Sequence, residues 1–508
     1  MRINQLISLF FLSRGLGAAA STSTLLRGGT IISFNQDTES LEVIRNGSVL
    51  VTDDRIVSVF SSTPQRSELP QGTEEVDITD KILTTGFIDT HRHGWQTAFK
   101  TLGSNTTLAE YVSRYGEFAT EGLLTAEDVY VGQLAGLYEA LNAGVTTTVD
   151  HAHHTWSDET SEAGLRASID SGARVFWCYA FHSLVNFTVD EQLANFRTLA
   201  ANASFQNTPT SLGIAYDSFG PNPNLTEVEA VIDLTRDFNI SVLTTHAVEG
   251  PWGFGNSPES LAALSLLTLP VPIIISHASF LSARGATLLR DANQYISITP
   301  ESELHYGHLH PTAHHILDQA ALGVDTHFTF STDILTQARL WLQTVRRTRY
   351  EPVLDRWEVP ANSPMSAHQA FLLATRHGGL ALKRDDLGVL APGAKADLIV
   401  WDGTSPGMLG WVDPVAAVML HASVGDVEGV MVDGRWRKRD GRITDEEYYT
   451  DVRSRFLESA RGIQRRLIET PFPTLNGTFQ SGYEYGTTER VDTLRGEGDG
   501  YGELFLEG

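Results

Sequence analysis

The sequence predicts an α/β protein: a TIM-like (β/α)₈ barrel carrying a small β-sandwich domain formed from both chain ends. Three observations predict it. Across residues 84–384, apolar β-branched runs recur, each followed by a helical pattern, which is the rhythm of β/α units around a parallel sheet. Eight such runs can be counted, the number that closes a barrel. The flanks read differently: residues 24–60 and 395–442 form short alternating strands such as Leu26-Arg27-Gly28-Gly29-Thr30-Ile31-Ile32 and Gly429-Val430-Met431-Val432-Asp433-Gly434.

The predicted barrel strands are Thr85–Thr90, Val145–Ala152, Arg174–Phe181, Leu212–Ser218, Val242–His246, Pro272–His277, Tyr295–Thr299 and His327–Asp333. Their near-continuous hydrophobic character is what strands buried on both faces require. The chain therefore divides into a leading segment 1–20, a β-sandwich from 21–83 plus 385–443, a barrel over 84–384, and a C-terminal helix and tail over 444–508. The tail holds Arg495-Gly496-Glu497-Gly498-Asp499-Gly500, a composition expected to be loosely ordered.

Length fits this partition, because a barrel takes about 250 residues and leaves room for an accessory domain. A formal net charge of −25 argues against binding to nucleic acid or anionic lipid, which both need clustered Lys and Arg. No apolar run reaches the roughly 20 residues that span a bilayer. The expected partner is a small molecule; a homo-oligomer is left open. The single cysteine, Cys178, excludes an intrachain disulfide and reads as a buried strand residue.

The leading segment has the order of a secretory signal: Arg2, the apolar run Leu6-Ile7-Ser8-Leu9-Phe10-Phe11-Leu12, then Gly17-Ala18-Ala19-Ala20. Seven asparagines sit in Asn-x-Ser/Thr sequons, namely Asn46, Asn105, Asn186, Asn202, Asn224, Asn239 and Asn476. Chance placement gives roughly two or three, so export with glycosylation is expected, the alternative being the cytoplasm.

The chemistry lies at strand ends. The first run leads into His91-Arg92-His93, and side chains two apart on a strand point the same way. His246 ends the fifth run, His277 the sixth and Asp333 the eighth. Barrel enzymes build their sites on that face. His91, His93, His246 and Asp333 are the expected ligands of one divalent cation, Zn²⁺ first and Fe²⁺ second, with a position left open for water. Such a cation brings the pKa of water down to around 7. Glu249, three residues beyond His246, is placed to move protons, and His277 to orient the water or polarise the scissile centre. A second His-x-His, at His151 and His153, shows how readily the short pattern arises. His305, His308, His310, His314 and His315 read as a polar lid or helix face. No lysine lies between Lys100 and Lys383, so a carboxylated lysine on the fourth strand cannot bridge two metals, and one metal is expected.

These residues resemble the amidohydrolase superfamily over roughly residues 24–442, specifically its mononuclear branch of cytosine, guanine and S-adenosylhomocysteine deaminases and triazine hydrolases. Thr85-Gly86-Phe87-Ile88-Asp89-Thr90-His91-Arg92-His93 is similar to P-G-F-I-D-x-H-x-H, with Thr85 in place of proline. His246-Ala247-Val248-Glu249 resembles H-x-x-E, Ser331-Thr332-Asp333 the strand-eight aspartate segment, and Leu387–Leu398 the G-x-L-x-x-G-x-x-A-D stretch. The resemblance implies His91, His93, His246 and Asp333 as ligands, Glu249 as proton shuttle, His277 near the water, and Asp333 also as the base. It implies that Gln96 contacts a substrate ring; Trp95 beside it is placed to stack on a planar ligand. Thr299-Pro300-Glu301-Ser302-Glu303 is similar to the strand-seven P-x-S with acidic neighbours, and its carboxylates, Glu301 first, are expected to meet a donor-rich or cationic substrate. The expected reaction is hydrolysis of a C–N bond on a nitrogen heterocycle with release of ammonia. Hydrolysis of an amide, lactam or carbon–halogen bond is the alternative, and an inactive binding or scaffold barrel the remote one.

Overall fold

The computed structural model describes residues 22–202, 205, 207–253, 255–489 and 491. The signal-like segment and the Gly-rich tail both lie outside the described residues.

Among the described residues the strands form two sheets. The larger is mixed: Ser23–Asn35, Ser40–Thr52, Arg55–Phe60, Glu74–Asp77 and Ile82–Thr85 from the N-terminal side join Leu398–Trp401, Val427–Val432, Arg435–Arg439 and Arg442–Ile443. The two chain ends meet where Ile82–Thr85 runs antiparallel to Leu398–Trp401. This sheet is the expected small β domain formed from both chain ends, its nine strands hydrogen-bonded in one continuous path with one branch. Register shifts around Gly29 interrupt its long first pair, as bulges that bend a strand do.

The other sheet is the barrel. Its strands are Phe87–Arg92, Val145–Ala152, Arg174–Phe181, Ser211–Tyr216, Leu243–Ala247, Ile273–His277, Tyr295–Ile298 and Ala320–Leu322, all parallel and in sequence order. Every residue of the second and third strands is buried, Cys178 included. Closure is made by the first and eighth: the amides of Val324 and Asp325 donate to the carbonyl of His91, and Thr90 Oγ1 donates to the carbonyl of Leu322.

Seven predicted strands are found within a few residues of their place. The eighth is not His327–Asp333, which folds as turns, but Ala320–Leu322. Close approach explains the small residues: a Cβ on Gly323 would sit 2.9 Å from the Cβ of His91. Alternating β-formers at 327–332 outscore Ala-Ala-Leu on propensity, yet packing decides.

Helices fill the intervals, started by side-chain caps. Thr125 accepts from the amide of Asp128 before Ala126–Asn142, and Thr188 from that of Glu191 before Val189–Ala201. The barrel is tied to the mixed sheet by a buried guanidinium: Arg174 donates from Nε to Asp397 Oδ2 at 2.8 Å and also pairs with Asp433. The C-terminal helix Glu446–Glu469 packs beside the first loop, where Gln464 Nε2 donates to the carbonyl of Ala98. No helix among the described residues is long and apolar enough to cross a membrane.

Candidate metal centre

His91 and His93 leave the first barrel strand toward the axis, and His246 and His277 reach the same space from the fifth and sixth. Each ring is oriented from behind by its Nδ1. That of His91 meets Ser276 Oγ at 2.8 Å, that of His93 donates to the carbonyl of His151 at 3.0 Å, and that of His246 donates to Asp217 Oδ2 at 2.8 Å. Partners of this kind fix the tautomer and turn Nε2 toward a metal. Burial drives the pKa of His91 well below its ordinary value, so its ring is neutral.

The carboxylate that joins them is Asp325. Its Oδ1 lies 3.4 Å from His91 Nε2 and 3.1 Å from His93 Nε2, while His93 Nε2 and His246 Nε2 stand 3.3 Å apart. Two ligands about 2.0–2.1 Å from one tetrahedral ion are about 3.3 Å apart. With both Nδ1 atoms donating, the facing Nε2 atoms of His93 and His246 present bare lone pairs to one another and to a carboxylate. Buried His91 Nε2 likewise has no hydrogen-bond partner. Such an arrangement is repulsive unless a cation lies at its centre, and the residues fit a divalent ion.

Asp333, the expected fourth ligand, is elsewhere. It caps the helix Ile334–Leu354, accepting from the amide of Thr336 at 2.6 Å and from Thr336 Oγ1. The displacement follows from the eighth strand ending earlier than predicted, so that Gly323-Val324-Asp325 occupies the strand end.

Above these residues opens a cavity of about 300 Å³. Its wall includes His93, His246, His277 and Asp325, together with Glu117, His151, His153 and Asp217. Gln480 reaches it from beyond the C-terminal helix, on a segment pinned where Ser481 Oγ donates to the carbonyl of Pro251 and Phe479 packs edge-on to Trp252.

The amidohydrolase family profile matches residues 82–437, well over half of the sequence. The chain belongs to the amidohydrolase family. Within it, the chain is 25% identical over 442 residues to a 5-methylthioadenosine/S-adenosylhomocysteine deaminase of Pelotomaculum thermopropionicum, covering 83% of this chain and 95% of that one. It is 24% identical over 432 residues to a 5′-deoxyadenosine deaminase of Methanothermobacter thermautotrophicus, covering 80% and 93%. The fold is shared with solved amidohydrolase structures. An atrazine chlorohydrolase from Arthrobacter aurescens complexed with zinc gives a TM-score of 0.73 at 19% identity, covering 87% of this chain and all of that one. A guanine deaminase from C. acetobutylicum with bound guanine gives 0.66 at 15%, covering 82% and 99%.

The other predicted site residues of this amidohydrolase divide. His277 is in the cavity, its Nδ1 paired with Thr299 Oγ1 at 3.0 Å. Glu249 is not among the wall residues: its backbone turns through a positive φ of 64°, and the charged neighbour of its carboxyl is Glu259. Burial raises that carboxyl to about 7. Trp95 and Gln96 are fully buried in the first loop, Trp95 against Phe99 and Trp156, and Gln96 donating to Tyr111 Oη and the carbonyl of Tyr115. Glu301 is spent on Ser331 and Gln337. None of the three is among the residues of the cavity wall. His308, read as part of a lid, is instead buried in the cavity wall with its ring 4.9 Å from that of His277.

So much buried imidazole makes the metal-free protein acid-sensitive. Among the described residues, eleven histidines have pKa values pushed below the ordinary 6.5, chiefly by burial, His277 to about 4 and His151 and His154 to about 3. Below pH 6.5 the unfolded chain binds protons that the folded rings refuse, so stability falls as pH falls. Five buried carboxyls and His246, shifted upward, act the other way but are outnumbered. The urea midpoint of metal-free protein is expected to be lower at pH 5.5 than at pH 7.5. An equal or higher midpoint contradicts the burial of these rings.

Proposed function

We propose that the protein is a zinc-dependent deaminase that hydrolyses the C–N bond at an amidine-like carbon of an amino-substituted nitrogen heterocycle. The observation that carries this reading is the convergence of four side chains beneath the cavity: Asp325 Oδ1 lies 3.4 Å from His91 Nε2 and 3.1 Å from His93 Nε2, and His93 Nε2 lies 3.3 Å from His246 Nε2. The relatives named as deaminases of adenine nucleosides supply the substrate class.

When bound, the cation supplies Lewis acidity toward water and the scissile carbon. The chain's own groups do the rest. Asp325, against both His91 and His93, accepts the proton that water gives up as its oxygen bonds to the carbon. His277, held through Nδ1 by Thr299, presents Nε2 to the reacting oxygen. The carbon–nitrogen bond then breaks, and the leaving nitrogen takes up a proton to depart as ammonia. Glu117 faces the cavity, and burial raises its pKa, which suits a carboxyl that receives and returns that proton. Tyr111, Phe118, Phe181 and Tyr306 provide aromatic surface for a planar ring.

A screen of amino-substituted purines, pyrimidines and triazines, alongside amides, lactams and halogenated rings, tests the reading by ammonia and product mass together. Ammonia with an oxygen in place of the amino group is the expected product. Turnover of the halides, lactams or amides alone would overturn deamination while leaving the hydrolytic site intact.

We also propose that the protein enters a secretory pathway. All seven sequon asparagines lie on the surface, whereas Asn195 and Asn256, outside sequons, are buried. Protein secreted from a eukaryotic host is expected to gain mobility after N-glycosidase treatment; unchanged mobility refutes glycosylation.

A further inference from the structure

The cavity holds a second ligand set beyond the first. His151 closes the second barrel strand and His153 follows two residues later, so both rings leave the backbone on one side. Asp217 follows the fourth strand. Its Oδ2 is 3.3 Å from His151 Nε2, and the donor atoms of His151, His153, Asp217 and His246 all lie within 4.8 Å of one another. The rings are packed together: His153 stacks on His93 with centroids 4.2 Å apart, and His151 is 4.3 Å from His246.

Three features point to a ligand here. The Nδ1 atoms of His151 and His153 are buried without a hydrogen-bond partner, although both side chains are at least nine-tenths buried. Burial lowers the pKa of both rings, leaving neutral imidazoles with lone pairs to offer. Asp217 and Asp325 stand as two separate carboxylates in one cavity, each against its own pair of imidazoles, Asp217 by His151 and His246 and Asp325 by His91 and His93.

We propose that a second divalent cation of the zinc type binds between His151, His153 and Asp217, next to the first and separated from it by the His246 ring. His246 turns Nε2 to the first centre and keeps its Nδ1–H on Asp217, so one carboxylate both ligates the second ion and orients a ligand of the first. The bridge is this carboxylate–imidazole pair, and no lysine is needed. The inference rests on the metal-dependent reading above and extends it.

Metal stoichiometry tests it. Purified protein stripped with a chelator, reloaded with Zn²⁺ and desalted is expected to hold two ions per chain, and the His151→Ala/His153→Ala variant one. Two ions in both, or one in the parent protein, overturns the second site and leaves the proposed function standing. None in the parent removes both. Should the double variant fail to fold, the parent protein titrated with Co²⁺ decides. Neighbouring ions couple, so the electron paramagnetic resonance signal is expected to grow with the first equivalent and shrink with the second. A signal that grows through both equivalents overturns the proposal.

Discussion

Asp325→Ala is expected to lower metal content by one ion per chain and abolish turnover, while Asp333→Ala keeps its metal and its activity. Asp325 Oδ1 is within 3.4 Å of two imidazole nitrogens that have no other way to relieve their facing lone pairs. Asp333 accepts bonds from the first turn of a helix, and losing such a cap costs about 1 kcal/mol of stability. The two variants therefore separate two roles that the sequence alone merges, since both aspartates sit in one short stretch. Metal analysis and a thermal melt read the difference; metal lost from Asp333→Ala and kept in Asp325→Ala reverses the assignment.

Glu117→Gln is expected to slow turnover by about 10²–10⁴ with metal content unchanged, as loss of a proton carrier does. Glu249→Gln, its side chain not among the residues of the cavity wall, is expected to cost less than about tenfold by the same comparison. The pH profile sharpens the test. A carboxyl raised by burial is protonated at higher pH than usual, so the parent protein should lose rate as alkali removes that proton, and Glu117→Gln should lose that limb. If Glu249→Gln shows the large effect instead, the proton carrier is Glu249.

Much of this architecture was legible because barrel strands advertise themselves. Val145–Ala152 and Arg174–Phe181 are continuous β-formers buried on both faces, and the structure keeps their predicted bounds. The Gly86-Phe87-Ile88-Asp89 run also reads directly: a Cβ on Gly86 would lie 2.0 Å from Thr146 Oγ1, so the chain needs glycine where it enters the barrel. The eighth strand was hidden because Ala320-Ala321-Leu322 has little β-propensity of its own and is held by pairing with the seventh strand and by bonds to the first. That slip carried the aspartate assignment from 325 to 333. Trp95, Gln96 and Glu301 lie outside the cavity wall, because a residue's position near a strand end does not say whether its tip faces the cavity or the core. His151, His153 and Asp217 had a signal in plain view, two strand ends bearing ligand-type residues. A second His-x-His is too short a pattern to stand out until folding brings Asp217 and His246 beside it. Glu117, opening the short helix Glu117–Thr120, and Gln480 carried no signal, since the path by which each segment reaches the cavity depends on tertiary packing.

The most direct test of the metal centre is an anomalous difference map at the zinc edge from crystals of the reloaded protein. A peak about 2.0–2.2 Å from His91, His93, His246 and Asp325 is the predicted result. Absence of density there, or an ion whose carboxylate ligand is Asp333, contradicts it.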